Sequence, residues 1–230
     1  MNTSETLKNA LKLDSDEEKL SYIARYIGEN FSDLEPTDFI DLLTPLTDIS
    51  RRLYQQNPDL DHLTDYSVAL TKLAEYLILD EQTWKATPLL AEATDLLQKQ
   101  PDTDEYAAWR FDTWRQIGEC HYSNQRRQQA KLAFKQALKY AAKANKDTED
   151  CECRLKQLEQ PMLRYDPVED SKKYLEVIDE VEKRLYNELK DEPRHMGFCF
   201  RYWSAKRAIL KEYGIDWSTP SMMNPKVHFD

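Results

Sequence analysis

Residues 111–144 read FDTWRQIGECHYSNQRRQQAKLAFKQALKYAAKA and carry the strongest structural pattern in the chain. Apolar residues recur in this stretch at intervals of three and four, the spacing of one face of an α-helix. A short polar turn, Ser123-Asn124-Gln125, divides the pattern into two halves. Gly118 and Ala130 are small where two antiparallel helices would cross, so their backbones can approach closely. The stretch therefore predicts a helical hairpin whose apolar face must be covered by neighbouring helices.

The hairpin resembles one tetratricopeptide (TPR) repeat, a helix–turn–helix unit that stacks on copies of itself. Its signature positions hold Trp114, Ile117, Gly118, Ala130, Phe134 and Ala137. His121 stands where tyrosine is usual, with Tyr122 beside it, and Ala142 stands where proline usually closes the repeat. The good match covers residues 111–144 alone. The resemblance implies an all-α fold, an antiparallel helical array with a TPR-like α-α superhelix, and a role in binding proteins or peptides.

A weaker copy of the pattern lies earlier in the chain. Its two helices would carry Leu70, Leu73, Ala74 and Leu77, then Ala86, Leu90 and Ala93. Pro88 strains this frame, because it falls inside the second helix instead of its first turn. We interpret this segment as a degenerate repeat.

The rest of the chain predicts further helices, separated by prolines and capping residues. They are expected over residues 1–13, from Asp14 to about Gly28, Thr37 to Gln56 with a kink or break at Pro45, Asp147 to Leu158, Glu169 to Leu189, and His195 to Tyr213. We divide the chain into acidic N-terminal helices (1–60), TPR-like hairpins (61–160), and C-terminal helices with an extended tail (161–230). These parts are expected to form one continuous structure.

Composition narrows the possible functions. The chain has 230 residues, only 4 glycines and a net charge of −10. Its few, widely separated glycines form neither a P-loop nor a GxGxxG loop, and no other catalytic motif is present. An acidic chain is disfavoured as a general nucleic-acid binder. We therefore expect a non-catalytic protein without a cofactor; an enzyme with an unrecognised acid–base site is the weaker alternative.

The absence of membrane and secretion signals in the sequence determines what we expect for the cellular location and for the oxidation state of the cysteines. No apolar run approaches the roughly 20 residues of a membrane span, and the first residues lack the apolar core of a signal peptide. We expect a cytoplasmic protein with reduced thiols. On a helix, Cys151 and Cys153 would point about 200° apart, so they would not converge on a zinc ion, and no metal site is predicted.

The TPR resemblance also implies where a partner would bind, because such proteins commonly hold peptides on the surface lined by first helices. The groove candidates in this chain are Trp109, Arg110, Arg115, Glu119 and Tyr122. Arginine beside tryptophan suits an acidic or aromatic segment. The alternative is that these residues form ordinary protein surface.

A basic stripe is the second candidate surface. It consists of Arg127, Lys131, Lys135, Lys139 and Lys143, which recur at every fourth residue on one helical face. Like charges at this spacing repel one another, so a partner is expected. That partner is either intramolecular, from the acids of residues 147–152 or the acidic N-terminal region, or external. The external reading is nucleic-acid or phosphate binding, helped by the basic and aromatic helix near residues 194–213; for that helix we favour a core-facing role.

The apolar tail gives a first prediction. Trp217, Met222, Met223, Val227 and Phe229 would anchor it along the body of the protein. Deleting residues 215–230 should therefore lower the melting temperature measured by circular dichroism. An unchanged melting temperature would show that the tail does not dock on its own chain.

Overall fold

A computed structural model describes residues 3–229, and over this range the protein is all-α. Eleven α-helices and two short 3-10 helices are present, with no strand among the described residues. The predicted all-α class is therefore confirmed.

The helices follow one another with short connections. They are α1 (Thr3–Ala10), α2 (Asp16–Asn30), α3 (Pro36–Gln56), α4 (Leu60–Leu79), α5 (Thr83–Lys99), α6 (Ala107–Ser123), α7 (Arg127–Ala144), α8 (Glu149–Glu159), α9 (Lys172–Leu189), α10 (Phe198–Glu212) and α11 (Pro220–Met223). The 3-10 helices are Asp104–Tyr106 and Pro167–Asp170. The predicted hairpin is the pair α6 and α7.

Several predicted boundaries shift for local reasons. α2 begins after Ser15, which forms a capping box with Glu18, as the acids there indicate. It continues past Gly28 to Asn30, whose side-chain nitrogen donates to the carbonyl oxygen of Tyr26 at 2.8 Å. α2 thus ends without a glycine cap, with Phe31 at the C-cap position.

Neither Pro45, which is expected to kink or break its helix, nor Pro88, which is expected inside a helix, ends the helix that contains it. Pro45 lies inside α3 and Pro88 inside α5, and both helices are continuous. The tail is less extended than expected, because residues 220–223 form one helical turn capped by the hydroxyl of Thr219.

The interface between α6 and α7 depends on the absence of a side chain at Gly118. Phe134 is fully buried against this glycine. A β-carbon built at Gly118 would lie 2.7 Å from Cε1 of the Phe134 ring, far inside van der Waals contact. The small residue in the predicted pattern therefore has a direct steric cause.

Buried side chains form three clusters that place the rest of the chain around this hairpin. One runs from α1 to α7, one joins α6, α7 and α8, and one lies within α9, α10 and the tail. Ile215 and Trp217 are almost fully buried in the last cluster, so the beginning of the tail does pack on its own chain. α9 also packs against α5, which brings the C-terminal helices onto the second helix of the degenerate repeat.

Gly118→Ala tests the close contact within the hairpin. The added methyl group overlaps the Phe134 ring, and we expect the free energy of unfolding to fall by about 1–3 kcal/mol. Gly28→Ala is the matched control, because nothing lies within 4 Å of a β-carbon at Gly28. There the helix propensity of alanine should raise stability by roughly 0.5–1 kcal/mol. Urea unfolding followed by circular dichroism measures both changes; equal effects would contradict the steric explanation.

Candidate functional site

Two of the predicted groove residues lie inside the protein. Trp109 is 5% exposed, and its indole nitrogen donates to the hydroxyl of Ser67 in α4 at 2.9 Å. Arg110 is equally buried and donates to the carbonyl oxygens of Leu97 at 2.9 Å and of Gln100 at 2.7 Å. Since the last carbonyls of a helix need donors, Arg110 closes the end of α5. Neither side chain is available to a partner, which corrects the expectation that both line an open surface.

Glu119 and Tyr122 contact α8. The guanidinium of Arg154 donates through Nε to both carboxylate oxygens of Glu119 at 3.1 Å, and it lies 4.4 Å from the centre of the Tyr122 ring. The Tyr122 hydroxyl donates to Gln157 at 2.9 Å. On another face of α6, the thiol of Cys120 donates to the carbonyl oxygen of Thr71 in α4 at 3.6 Å. α6 therefore contacts α4 and α8 through different side chains.

Arg115 differs from the other four groove candidates. Its side chain is half-buried, and within residues 3–229 no carboxylate lies within 4.0 Å of its guanidinium. It lies one helical turn before Glu119, on the same face of α6. Arg115 is therefore the groove candidate whose charge is open to a partner.

The basic stripe has partners at its two ends. Arg127 pairs with Glu169 at 2.7 Å and lies 3.9 Å from the centre of the Tyr165 ring. Lys143 pairs with Asp104 at 2.9 Å. The described structure shows no ion pair for Lys131, Lys135 or Lys139 in the middle of the stripe; Lys139 donates to Gln136 at 2.9 Å.

These intramolecular partners are not the predicted ones. Two of the acids that follow the stripe form hydrogen bonds with their own neighbours at the start of α8. Asp147 accepts from the backbone nitrogen of Glu149, and Glu152 accepts from the hydroxyl of Thr148. The acidic N-terminal region also supplies no partner among the described residues. The expectation that residues 147–152 or the N-terminal region neutralise the stripe was wrong.

The C-terminal basic and aromatic helix faces the core, as its apolar stripe indicates. Ile209 and Leu210 are buried, whereas Arg201 and Arg207 are exposed. One basic residue departs from this separation: Lys206 is only 9% exposed. This burial could not be predicted from the sequence, because no pattern distinguishes Lys206 from the exposed bases around it.

The cysteines lie in different environments. Cys151 is buried and Cys153 exposed, as their spacing on a helix predicts. Burial raises the pKa of the Cys120 thiol to about 12, so this cysteine stays protonated at neutral pH. Among residues 3–229 no group of three or more metal-binding side chains comes together.

Comparisons with protein-family models, curated proteins and solved structures each find no match for this chain. The TPR resemblance thus rests on the residues of the α6–α7 hairpin. Over the described range, every helix is too short or too polar to cross a bilayer.

His121 occupies the TPR signature position where tyrosine is usual, and its side chain is titratable near neutral pH. Its Nδ1 atom is buried and has no hydrogen-bond partner. Burial and the nearby Arg126 guanidinium lower the pKa of His121 to about 4. Asp95 and Asp179 line the same pocket as His121. The histidine is therefore neutral in the folded protein at neutral pH.

The depressed pKa predicts a dependence of stability on pH. An unfolded histidine has a pKa near 6.5, so the unfolded state binds the proton first as the pH falls. The stabilisation is complete above pH 6.5 and is lost progressively towards pH 4, by up to about 3 kcal/mol. His121→Tyr should reduce this loss in urea unfolding at each pH. His195→Gln, at an exposed position, is the control; a parallel decline in all three proteins would contradict the assignment.

Proposed function

We propose that the protein is a non-catalytic, TPR-type binding module of the cytoplasm that recognises an acidic segment of a partner protein. The contact surface is the exposed face of α4, α6 and α8, with Arg115 at its centre. The observation that supports this is the half-buried guanidinium of Arg115, which has no carboxylate partner among residues 3–229. A carboxylate is the ligand that matches a free guanidinium best.

The neighbouring side chains define the edges of this surface. Lys72 and Glu75 of α4 pair with each other at 2.7 Å, and both, like Glu119 of α6, influence the pKa of Cys120. These charges therefore lie near one another across the α4–α6 junction. Val68, one turn before Lys72, is 52% exposed and adds an apolar contact.

The ion pairs on this face support binding over catalysis. Glu119 is paired with Arg154 and Glu75 with Lys72. A general acid or base must be free to exchange a proton with substrate, and a carboxylate held by a cation is a weak base. A surface with preformed ion pairs and one open cation suits recognition of a single opposite charge.

Charge reversal at Arg115 tests the proposal. Tagged wild-type protein, Arg115→Glu and Lys211→Glu are used to capture partners from lysate of the native cell, followed by crosslinking and mass spectrometry. Arg115→Glu should lose the main partner, with affinity reduced about tenfold or more, because two acidic groups would then face each other. Lys211→Glu alters an exposed residue of α10 and should bind as the wild type does.

The outcome that contradicts the proposal is retention of the same partners by Arg115→Glu at wild-type affinity. Crosslinks that fall on α10 or on α7, with none on α6, would contradict it as well. Circular dichroism of each variant confirms that the compared proteins are folded.

A further inference from the structure

A cavity lies at the turn end of the α6–α7 hairpin, where this turn meets the C-terminal helices. Its volume is about 480 Å³. The walls come from the turn 123–127, the connection 163–169, α9, α10 and the tail. Cavities of roughly 300–1,000 Å³ hold small ligands in proteins. The space is therefore large enough for a compact organic molecule.

Aromatic side chains form much of the wall. They are Tyr174, Tyr202, Trp203, Trp217 and Phe229. Trp203 and Phe229 pack edge to face with ring centres 5.1 Å apart, which holds the tail against α10. Trp217 is 2% exposed and donates to Glu169 at 2.8 Å. These rings offer flat apolar surfaces held in fixed orientations.

The carboxylates at the cavity are already satisfied by donors of the chain. Glu169 accepts from Arg127 and from Trp217, and Glu182 accepts from Arg126 and from Thr83. Each of these acids is therefore neutralised or hydrogen-bonded in place.

The two remaining acids at the cavity are bound in the same way. Asp166 accepts from the backbone nitrogens of Val168 at 3.0 Å and of Ser218 at 2.7 Å, and Glu81 pairs with Arg194. Three of these four acids are paired with arginines and Asp166 accepts from backbone nitrogens, and none of the four lies within 4.0 Å of the Lys206 ammonium group.

Lys206 is the buried basic residue at this cavity that forms no ion pair among the described residues. It lines the cavity and is 9% exposed, and within residues 3–229 no carboxylate lies within 4.0 Å of its nitrogen. Its ammonium group lies 5.7 Å from the ring centre of Tyr174 and 5.4 Å from that of Trp217. Burial lowers the pKa of Lys206, but Tyr174, Tyr202 and Glu182 outweigh burial and leave it above its ordinary value. The side chain is charged at neutral pH.

A buried charge without an ion pair is costly, and proteins keep such groups mainly where they act on a ligand. The two cation–π contacts offset part of that cost. The Tyr174 hydroxyl accepts one hydrogen bond from the ammonium group, and acceptors for its other protons are not supplied by any carboxylate within 4.0 Å among residues 3–229. A negatively charged group in the cavity would supply them.

We propose that this cavity binds a small organic anion, whose carboxylate or phosphate group pairs with Lys206 and whose flat apolar body lies against Trp217 and Tyr202. This site is separate from the α4–α6–α8 face and does not depend on the function proposed for it. The aromatic walls favour a flat ligand over an extended peptide, and the enclosed volume favours a small one.

The test uses the full-length protein and a fluorescent aromatic anion, 8-anilinonaphthalene-1-sulfonate, which emits strongly in apolar sites. We expect saturable binding of one probe molecule per chain. Phenylacetate and phenyl phosphate share one ring but carry a carboxylate or a phosphate, and displacement by either identifies the preferred head group. Benzyl alcohol is the neutral competitor of the same size and should displace the probe at least tenfold less effectively than the better anion.

Two lysines of α10 provide matched variants. Lys206→Met keeps most of the length of the side chain and removes its charge, and it should weaken probe binding at least tenfold. Lys211→Met, at an exposed position of the same helix, should bind within twofold of the wild type. Arg115→Glu should also bind the probe normally, which separates this proposal from the protein-binding face.

Three results would overturn the proposal. They are absence of saturable probe binding to the wild type, equal displacement by benzyl alcohol and by both anions, and wild-type affinity in folded Lys206→Met. The first two use the wild-type protein alone, so they decide the question even if Lys206→Met does not fold. If the role of Lys206 were only structural, Lys206→Met would change the melting temperature. The wild type would then show no preference for the two anions over benzyl alcohol.

Discussion

The contact between Gly118 and Phe134 controls the geometry of the molecule. It sets how closely α6 and α7 approach, and α6 in turn contacts α4 and α8 through different side chains. The turn between the two helices presents Arg126 and Arg127 to the acids of α9 and of the connection before it. A wider separation of the hairpin would move both sets of contacts, so the two halves of the protein depend on one missing side chain.

Charge is distributed unevenly over this framework. The chain is acidic as a whole, yet many of its bases lie in α7 and α10. The ends of the α7 stripe and the turn before it are neutralised by acids distant in sequence, such as Glu169 and Asp179. Arg115 and Lys206 lie at least partly inside the protein, and within residues 3–229 neither has such an acid within 4.0 Å; the buried Arg110 is held by backbone carbonyl oxygens instead. The two binding proposals depend on Arg115 and Lys206.

Local patterns in the sequence predicted the helices well, because periodicity and capping act over a few residues. The hairpin, the capping box at Ser15 and the opposite directions of Cys151 and Cys153 belong to this class. The groove was predicted less well, since the burial of Trp109 and Arg110 depends on Ser67 and Leu97, which lie elsewhere in the chain.

Burial of single charges was also beyond sequence reasoning. Lys206 and the exposed Lys211 lie on the same helix and have similar neighbours in the sequence. Only the packing of α9 and of the tail against Lys206 distinguishes them. Pro45 and Pro88 show the complementary case, in which tertiary packing holds a helix together across a residue that disfavours it locally.

Arg126 is placed unfavourably by itself, because a positive charge before the first turn of α7 opposes the dipole of that helix. Asp179 and Glu182, which approach from α9, reverse the sign of the local charge. These acids lie more than fifty residues later in the chain. The consequence concerns the order of assembly: during synthesis the hairpin emerges first with an uncompensated start to α7, and it reaches its final stability only when the C-terminal helices dock.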